Sequence, residues 1–513
     1  MMRLRSALVL LSICCGPVAF AAPARDGFVP DLVAARSAPR FAGTDSAALA
    51  AAQKTVAENT HNQPLPFAVG AEMPLELADG SWSTAADGSA VWRMRLASSG
   101  AKLIAVGFQQ LKLPSTARLY LYDSAGDTVQ GPYVASDLAD DGSLITAVVP
   151  GAEAAVELRV DATQRDQVSL KLARIYHGFR ALSGNTAVAP SDVAAKSLTG
   201  DTAAACEVNV ACPAGDAWRD PIRAVALLQV GSGVNLYLCS GQMVDTLRGD
   251  NSPYFLTAHH CNVGGSLTTP ASSVVLYFNY QASSCNGTTG SLNQTMNGST
   301  VLATDAGSDF TLLQLRSQPP SAYNVYYAGW DSSTSDIPTS GVAMHHPVAD
   351  IKKISTFAQP VSRTQIQLNT GAITNQTVQA WQVSWTSGIT EDGSSGSGLW
   401  NQDHRVVGVL SGGNTACASG TASTGQDFFG RLDVAWTANT SSSGQLQAWL
   451  DPDNTGVRCA NGRNPGDPAA SSSCSASNGG SSSSKSGGAI APLNSLGLIA
   501  LWLVRRRRQG STG

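Results

Sequence analysis

Neither charge dominates this sequence. Lys and Arg number 33 and Asp and Glu 37, for a net charge of −4. Without a basic field, nucleic acid is not an expected partner. Charge of either sign is scarce, at 14% of residues, while glycines number 50. That balance suits an exported, turn-rich β protein better than a charged helical one. Long helical patterns are few, and "GQLQAWLDP" near residue 447 is the clearest. Between Cys15 and Cys206 there is no cysteine, and no C-x-x-C pair follows. A zinc site is therefore not expected, nor is any other metal or cofactor. Histidines number only seven, so candidates for a catalytic base are few.

The 513 residues exceed one ordinary core, so two or three folded units are expected. The chain starts with Arg3 and Arg5, an apolar run from Ala7 to Phe20 and a small-x-small site, Ala19-Phe20-Ala21. This reads as a signal peptide over residues 1–21. A lipoprotein signal is the lesser reading, because Ile13 is bulky before Cys14. Eight cysteines remain after the signal, all beyond residue 205: Cys206, Cys212, Cys239, Cys261, Cys285, Cys417, Cys459 and Cys474. An even number in an exported chain points to disulfides. Ahead of them, "AVWRMRLAS", "AKLIAVGFQQL", "ARLYLYD" and "AAVELRV" read as strands, and the alternation in the last two favours half-buried ones. A small β-sandwich is expected there, followed by a polar linker over 182–205. Short strands recur from 206 to 460, suggesting a second, all-β unit built as a sandwich or paired barrels. A Ser/Gly spacer spans 461–488. The apolar run 489–504 is about 24 Å long as a helix, against roughly 30 Å of hydrocarbon, and is stopped by Arg505 to Arg508. It reads as a short membrane segment with its arginines in the cytoplasm.

The stretch "EDGSSGSGLW", residues 391–400, is either a flexible linker or a tight turn that exposes one serine. Peptide hydrolysis by a hydroxyl needs a base, a group that orients the base, and donors for the oxyanion. One base candidate lies in "YFLTAHHC", where a strand ends beside a cysteine. A carboxylate candidate is Asp309 in "GSDFTLLQL". Taken singly, each also fits a structural role.

Taken together, the order His260, Asp309, Ser395 resembles that of trypsin-like serine proteases. "TAHHC" is similar to their T-A-A-H-C, which makes His260 the base and His259 a bystander. "DGSSGSG" is similar to their G-D-S-G-G-P, which makes Ser395 the nucleophile. The segments "CEVNVACPAGDAWRDPIRAV", "CSGQMV", "AGWD", "AMHHPVADIKKIS" and "QDFFGR" resemble the bacterial lysyl endopeptidase branch over about residues 200–455. The resemblance implies a chymotrypsin-like double β-barrel over 197–460, with an oxyanion hole from the amides of Gly393 and Ser395. It implies disulfides Cys206–Cys417, Cys212–Cys285 and Cys239–Cys261, leaving Cys459 to pair with Cys474. It also implies that Asp427, buried and without a fixed partner, binds the basic side chain of a protein or peptide substrate. Ser411, Gly412 and Gly413 would pair with the substrate backbone. His345 and His346 would be structural.

Some residues depart from the branch. Ser411 stands where a histidine is usual, and "STFAQPVSR" after Ile354 lacks a tryptophan, so Arg is expected to be accepted beside Lys. Ser394 replaces the aspartate that ion-pairs with a freed N-terminus in trypsin, so that activation switch is absent. Residues 22–196 are instead expected to be a β-rich propeptide, a partner of the protease cut at Lys196. Gly487-Gly488, the apolar run and the arginines resemble a GlyGly-CTERM sorting signal. That implies a Gram-negative-type exported protein, secreted or at the cell surface, with a tail-processing membrane protease as partner. A plain inner-membrane anchor is the alternative for the tail, and an inactive binding module or adhesin is the alternative for the whole.

Overall fold

"RLYLYD" alternates, yet Arg118–Asp123 is buried along nearly its whole length. Leu119 and Leu121 face one apolar core, and Tyr120 and Tyr122 face another. Phe28 closes the second face, its ring stacked 3.9 Å from that of Tyr120. A strand covered on both faces has no solvent side, so here the alternation separates two cores rather than core from water.

The computed structural model describes residues 26–32, 40–43, 46–58, 64–182, 202–263, 273–370, 373–418, 423–438 and 441–469. The expected signal, Lys196, Cys474, residues 470–488 of the expected spacer and the terminal apolar run lie outside them. Residues 461–469, expected as spacer, are packed instead: Arg463 exchanges backbone hydrogen bonds with Tyr327 and its buried guanidinium meets Asp245 at 2.8 Å. Among the described residues, no helix is long and apolar enough to cross a membrane.

The N-terminal part is two sheets face to face. Ala90–Ala97, Glu153–Val160, Arg118–Asp123 and Val129–Tyr133 are the principal strands of one. Leu65–Glu76, Ser169–Gly178 and Leu103–Lys112 lead the other. Trp92, Leu121 and Leu158 meet Ile104, Phe108 and Ile175 between them. The helix Ser46–Glu58 precedes them, ahead of the first strand-like run quoted from the sequence.

Two large sheets, with a two-stranded ribbon at Ala416–Cys417 and Ser423–Thr424, make up the described C-terminal part. The first contains Val225–Ser232, Asn235–Val244, Tyr254–Thr257, Val274–Phe278 and Phe310–Leu315. The second contains Gly341–His345, Gly398–Asn401, Arg405–Gly413 and Asp427–Arg431. An apolar core including Val244, Leu256, Phe310, Trp330, Trp400 and Val406 lies between the sheets.

The N-terminal and C-terminal parts, expected as separate units, share a sheet. Leu65–Glu76 pairs antiparallel with Asn235–Val244, making one sheet of 12 strands. Leu65, Phe67 and Ala68 enter one core with Leu236, Leu238, Tyr277 and Tyr280.

Candidate active site

His260 sits in a short turn, His259–Cys261, just beyond the strand Tyr254–Thr257. The neighbouring strand Phe310–Leu315 brings Asp309 level with it, through the pairing of Thr257 with Thr311. Asp309 is fully buried at φ +52°, a left-handed conformation that aspartate tolerates better than most residues. One carboxylate oxygen accepts from the His260 amide at 2.9 Å and the other meets His260 Nδ1 at 2.9 Å. Its carbonyl accepts from the His259 amide. An acceptor at Nδ1 places the proton there, which leaves the Nε2 lone pair available. His260 Nε2 is buried and makes no hydrogen bond among the described residues. His259 turns instead to Thr304 Oγ1, at 2.7 Å, and its burial lowers its pKa.

The stretch 391–400 is a tight turn followed by a strand. Gly393 and Gly396 take φ +86° and +83°, which an L side chain adopts only with strain. Between them Ser395 is nearly buried. Two strands bracket this turn. On one side Ser240 donates its amide to the Ser395 carbonyl and its hydroxyl to the Gly393 carbonyl. On the other, Gly396 donates to the Leu410 carbonyl and Leu410 donates to that of Ser397. The amides of Ser394, Gly396 and Ser397 are thus engaged. Those of Gly393 and Ser395 donate no hydrogen bond among the described residues.

His345 fastens the turn from beneath. Ser355 donates its hydroxyl to the Ile389 carbonyl, so it accepts from His345 Nε2–H at 3.1 Å. His345 Nδ1 then accepts from Ser394 Oγ at 2.8 Å, and Ser394 Oγ accepts the Glu391 amide. Burial pushes the His345 pKa down to about 3, as this neutral relay requires. Glu391 also accepts the Ala204 amide, and Asp350 the Ala203 amide. Burial pushes Glu391 up to about 7. The start of the C-terminal part is therefore tied to the turn without a free N-terminus. His346 bonds the Asp350 carbonyl and stacks on Tyr280.

Asp427 departs from expectation in one respect, because it has fixed partners. Trp385 Nε1 and Thr390 Oγ1 donate to one oxygen at 2.5 and 2.8 Å, and Thr415 Oγ1 bonds the carboxylate at 2.9 and 3.0 Å. All are neutral, and among the described residues no cation pairs with it. Burial raises its pKa to about 6, against the opposing pull of these donors. Trp385, Thr390 and Thr415 lie in connections outside the strands and carry no sequence signal for this role, since tryptophan and threonine also occur widely in structural positions.

Asp427 pairs in register with Gly413, and Gly412 with Phe428, with a bulge at Ser411. The Ser411 hydroxyl is buried and makes no hydrogen bond among the described residues. On the other edge of this strand, pairing with Gly398–Asn401 ends at Val409. Beyond it, Ser411–Gly413 has no second partner strand among the described residues.

Disulfides join Cys206 to Cys417, Cys212 to Cys285 and Cys239 to Cys261. The last ties the strand Asn235–Val244 to the residue after His260. Cys459 is also disulfide-bonded, and its expected partner Cys474 lies outside the described residues.

Residues 200–430 match the family described as lysyl endopeptidase, C-terminal domain, and residues 39–179 match the lysyl endopeptidase N-terminal domain. A lysyl endopeptidase of Pseudomonas aeruginosa is 29% identical over 237 residues, covering 44% of this chain. The alignment spans 48% of that relative, about half its length. Among solved structures, the Rv3671c protease of M. tuberculosis in its active form matches at 14% identity and a TM-score of 0.31, over 46% of this chain and 88% of its own. An HtrA-type protease, AlgW with a tripeptide, matches at 17% and 0.29, over 44% and 61%. Neither structural likeness is close enough to carry weight. The two family matches make the chain lysyl endopeptidase-like in both its parts, extending the resemblance to the N-terminal part.

Proposed function

We propose that the chain is an exported serine endopeptidase that cleaves peptide bonds after basic residues, Lys and also Arg. The observation that carries this reading is the meeting of His260 and Asp309, beside a serine turn whose Gly393 and Ser395 amides donate no hydrogen bond among the described residues. Ser395 Oγ attacks the carbonyl carbon while His260 Nε2 takes its proton. The carbonyl oxygen becomes an oxyanion held by the two amides. Asp309 keeps the imidazole proton on Nδ1 and stabilises the ring when it is charged. His260 then protonates the leaving amine, and a water deprotonated by the same nitrogen releases the acyl group.

Asp427 supports basic selectivity because its donors satisfy its hydrogen bonds but not its charge. A substrate ammonium or guanidinium supplies that charge, and the edge Ser411–Gly413 receives the substrate backbone. Residues 22–196 act as a propeptide released at Lys196, and the terminal segment is a sorting tail or anchor cut by a membrane protease. The disulfides fit an oxidising destination outside the cell.

A fluorophosphonate should label the processed protein at Ser395 and leave Ser395→Ala unlabelled. Peptides with Lys or Arg before the bond should be cut and those with Glu spared. N-terminal sequencing of the active form should begin near Ser197. Absence of label in the processed form would turn the reading to a binding module.

A further inference from the structure

One strand edge beside the serine turn is already occupied. Along Asn235–Val244, opposite its partner Val225–Ser232, three neighbours follow in order. Asn235 to Leu238 pair with residues 69 to 65. Ser240 holds the Ser395 and Gly393 carbonyls. Gln242 to Val244 pair with the strand that leads to His260. The N-terminal strand therefore ends directly against the turn. Leu65 is fully buried, and its Cδ2 lies 3.6 Å from where a Cβ on Gly393 would stand.

Direction matters as much as position. The turn lies between the edge at Ser411–Gly413, beside Asp427, and the edge at Ser240. A peptide with its basic side chain at Asp427 has its earlier residues along Ser411–Gly413. On the proposed function its later residues leave past Ser395, which is held by Ser240, along the rest of that edge towards Leu238 and then Asn235. The strand from Leu65 to Val69 runs in that same direction along that same edge. Leu65, Phe67 and Ala68 anchor it in the shared core, so it is held by burial as well as by pairing.

We propose that residues 65–69 dock on the edge Asn235–Leu238 as an internal stand-in for the leaving-group side of a substrate. The inference rests on the protease reading. On the propeptide reading the uncut chain is silent, and the docked strand supplies the reason, because the His345 relay and the Ala203 and Ala204 ties to the serine turn are in place without a cut. Occupancy of the cleft by this strand is the proposed source of that silence. The occupant also escapes cleavage, because no Lys or Arg occurs between Lys54 and Arg93.

The test uses the full chain carrying Lys196→Gln, its uncut length verified by mass. Two substrates are compared: a lysine peptide with four residues after the scissile bond, and a lysine aryl amide with none. Adding Leu65→Asp, which puts an unpaired carboxylate in the docked core, should speed peptide cleavage at least tenfold and aryl amide cleavage less. Leu65→Ala should give a smaller gain in the same direction, so the test survives if the Asp variant fails to fold. Leu65→Met should give none. No gain from either disruptive variant overturns the proposal, as does an equal gain on both substrates. If a fluorophosphonate labels Ser395 in none of these chains or the processed form, the protease reading itself fails.

Discussion

Asp427 is an anion site in surroundings that resist the anion. Its pKa of about 6 means that it is largely neutral in mild acid and charged at neutral pH. Binding of a butylammonium ion, a bare stand-in for the lysine side chain, should therefore weaken as pH falls through 6. In Asp427→Asn the binding and its pH dependence should both vanish, and kcat/KM on lysine peptides should fall at least about 30-fold, from the ~2 kcal/mol lower bound for breaking a buried charge pair. Inhibition measured from pH 5 to 8 checks this. Glu391, also raised by burial, gives a stability prediction that runs the opposite way with pH. Its carboxyl holds a proton in the folded state up to about pH 7 but ionises from about 4.5 when unfolded. The folded state thus binds more protons across that window, and stability falls as pH rises through it. Glu391→Gln keeps an acceptor for the Ala204 amide and should remove up to roughly 3 kcal/mol of that fall. Urea melts of both proteins at pH 5 and 7.5 measure it.

At the scale of elements, the serine turn is wedged between the two C-terminal sheets. A Cβ on Gly396 would stand 2.2 Å from Thr257 Oγ1 and 2.6 Å from the Ser240 carbonyl. Gly396→Ala should cost more than about 2 kcal/mol, from the clash and the left-handed backbone together. Thermal melting reads the loss. The turn was legible in the sequence because glycines at 393, 396 and 398 alternate with serines over six positions. Ser46–Glu58 was not legible as a helix, because its alanine run lacks the apolar period that marks one face. Alternation alone does not reveal the burial of Arg118–Asp123, because what covers its second face is Phe28, 90 residues earlier.

Among the described residues, a sheet and a core cross from the N-terminal to the C-terminal part. Cutting the chain between residues 183 and 201 should leave the two pieces together on gel filtration. Denaturant should be needed to part them, because separation exposes Leu65, Phe67, Leu236 and Leu238 to water. A cut chain that separates at once in buffer would contradict a shared core. Full activity should then follow removal of the N-terminal piece, not the cut itself.

Short-range chemistry was determined by the sequence alone. His260 beside its cysteine, the glycines around Ser395 and the acid at the head of an apolar strand are each written within a few residues, where chain connectivity sets the geometry. The tertiary structure decided what meets across distance. It alone gave Asp427 the Trp385, Thr390 and Thr415 donors, put His345 under Ser394, and laid residues 65–69 along Asn235–Leu238. Such meetings depend on which edges and faces are left to be covered once separate sheets have formed, and no local pattern records that.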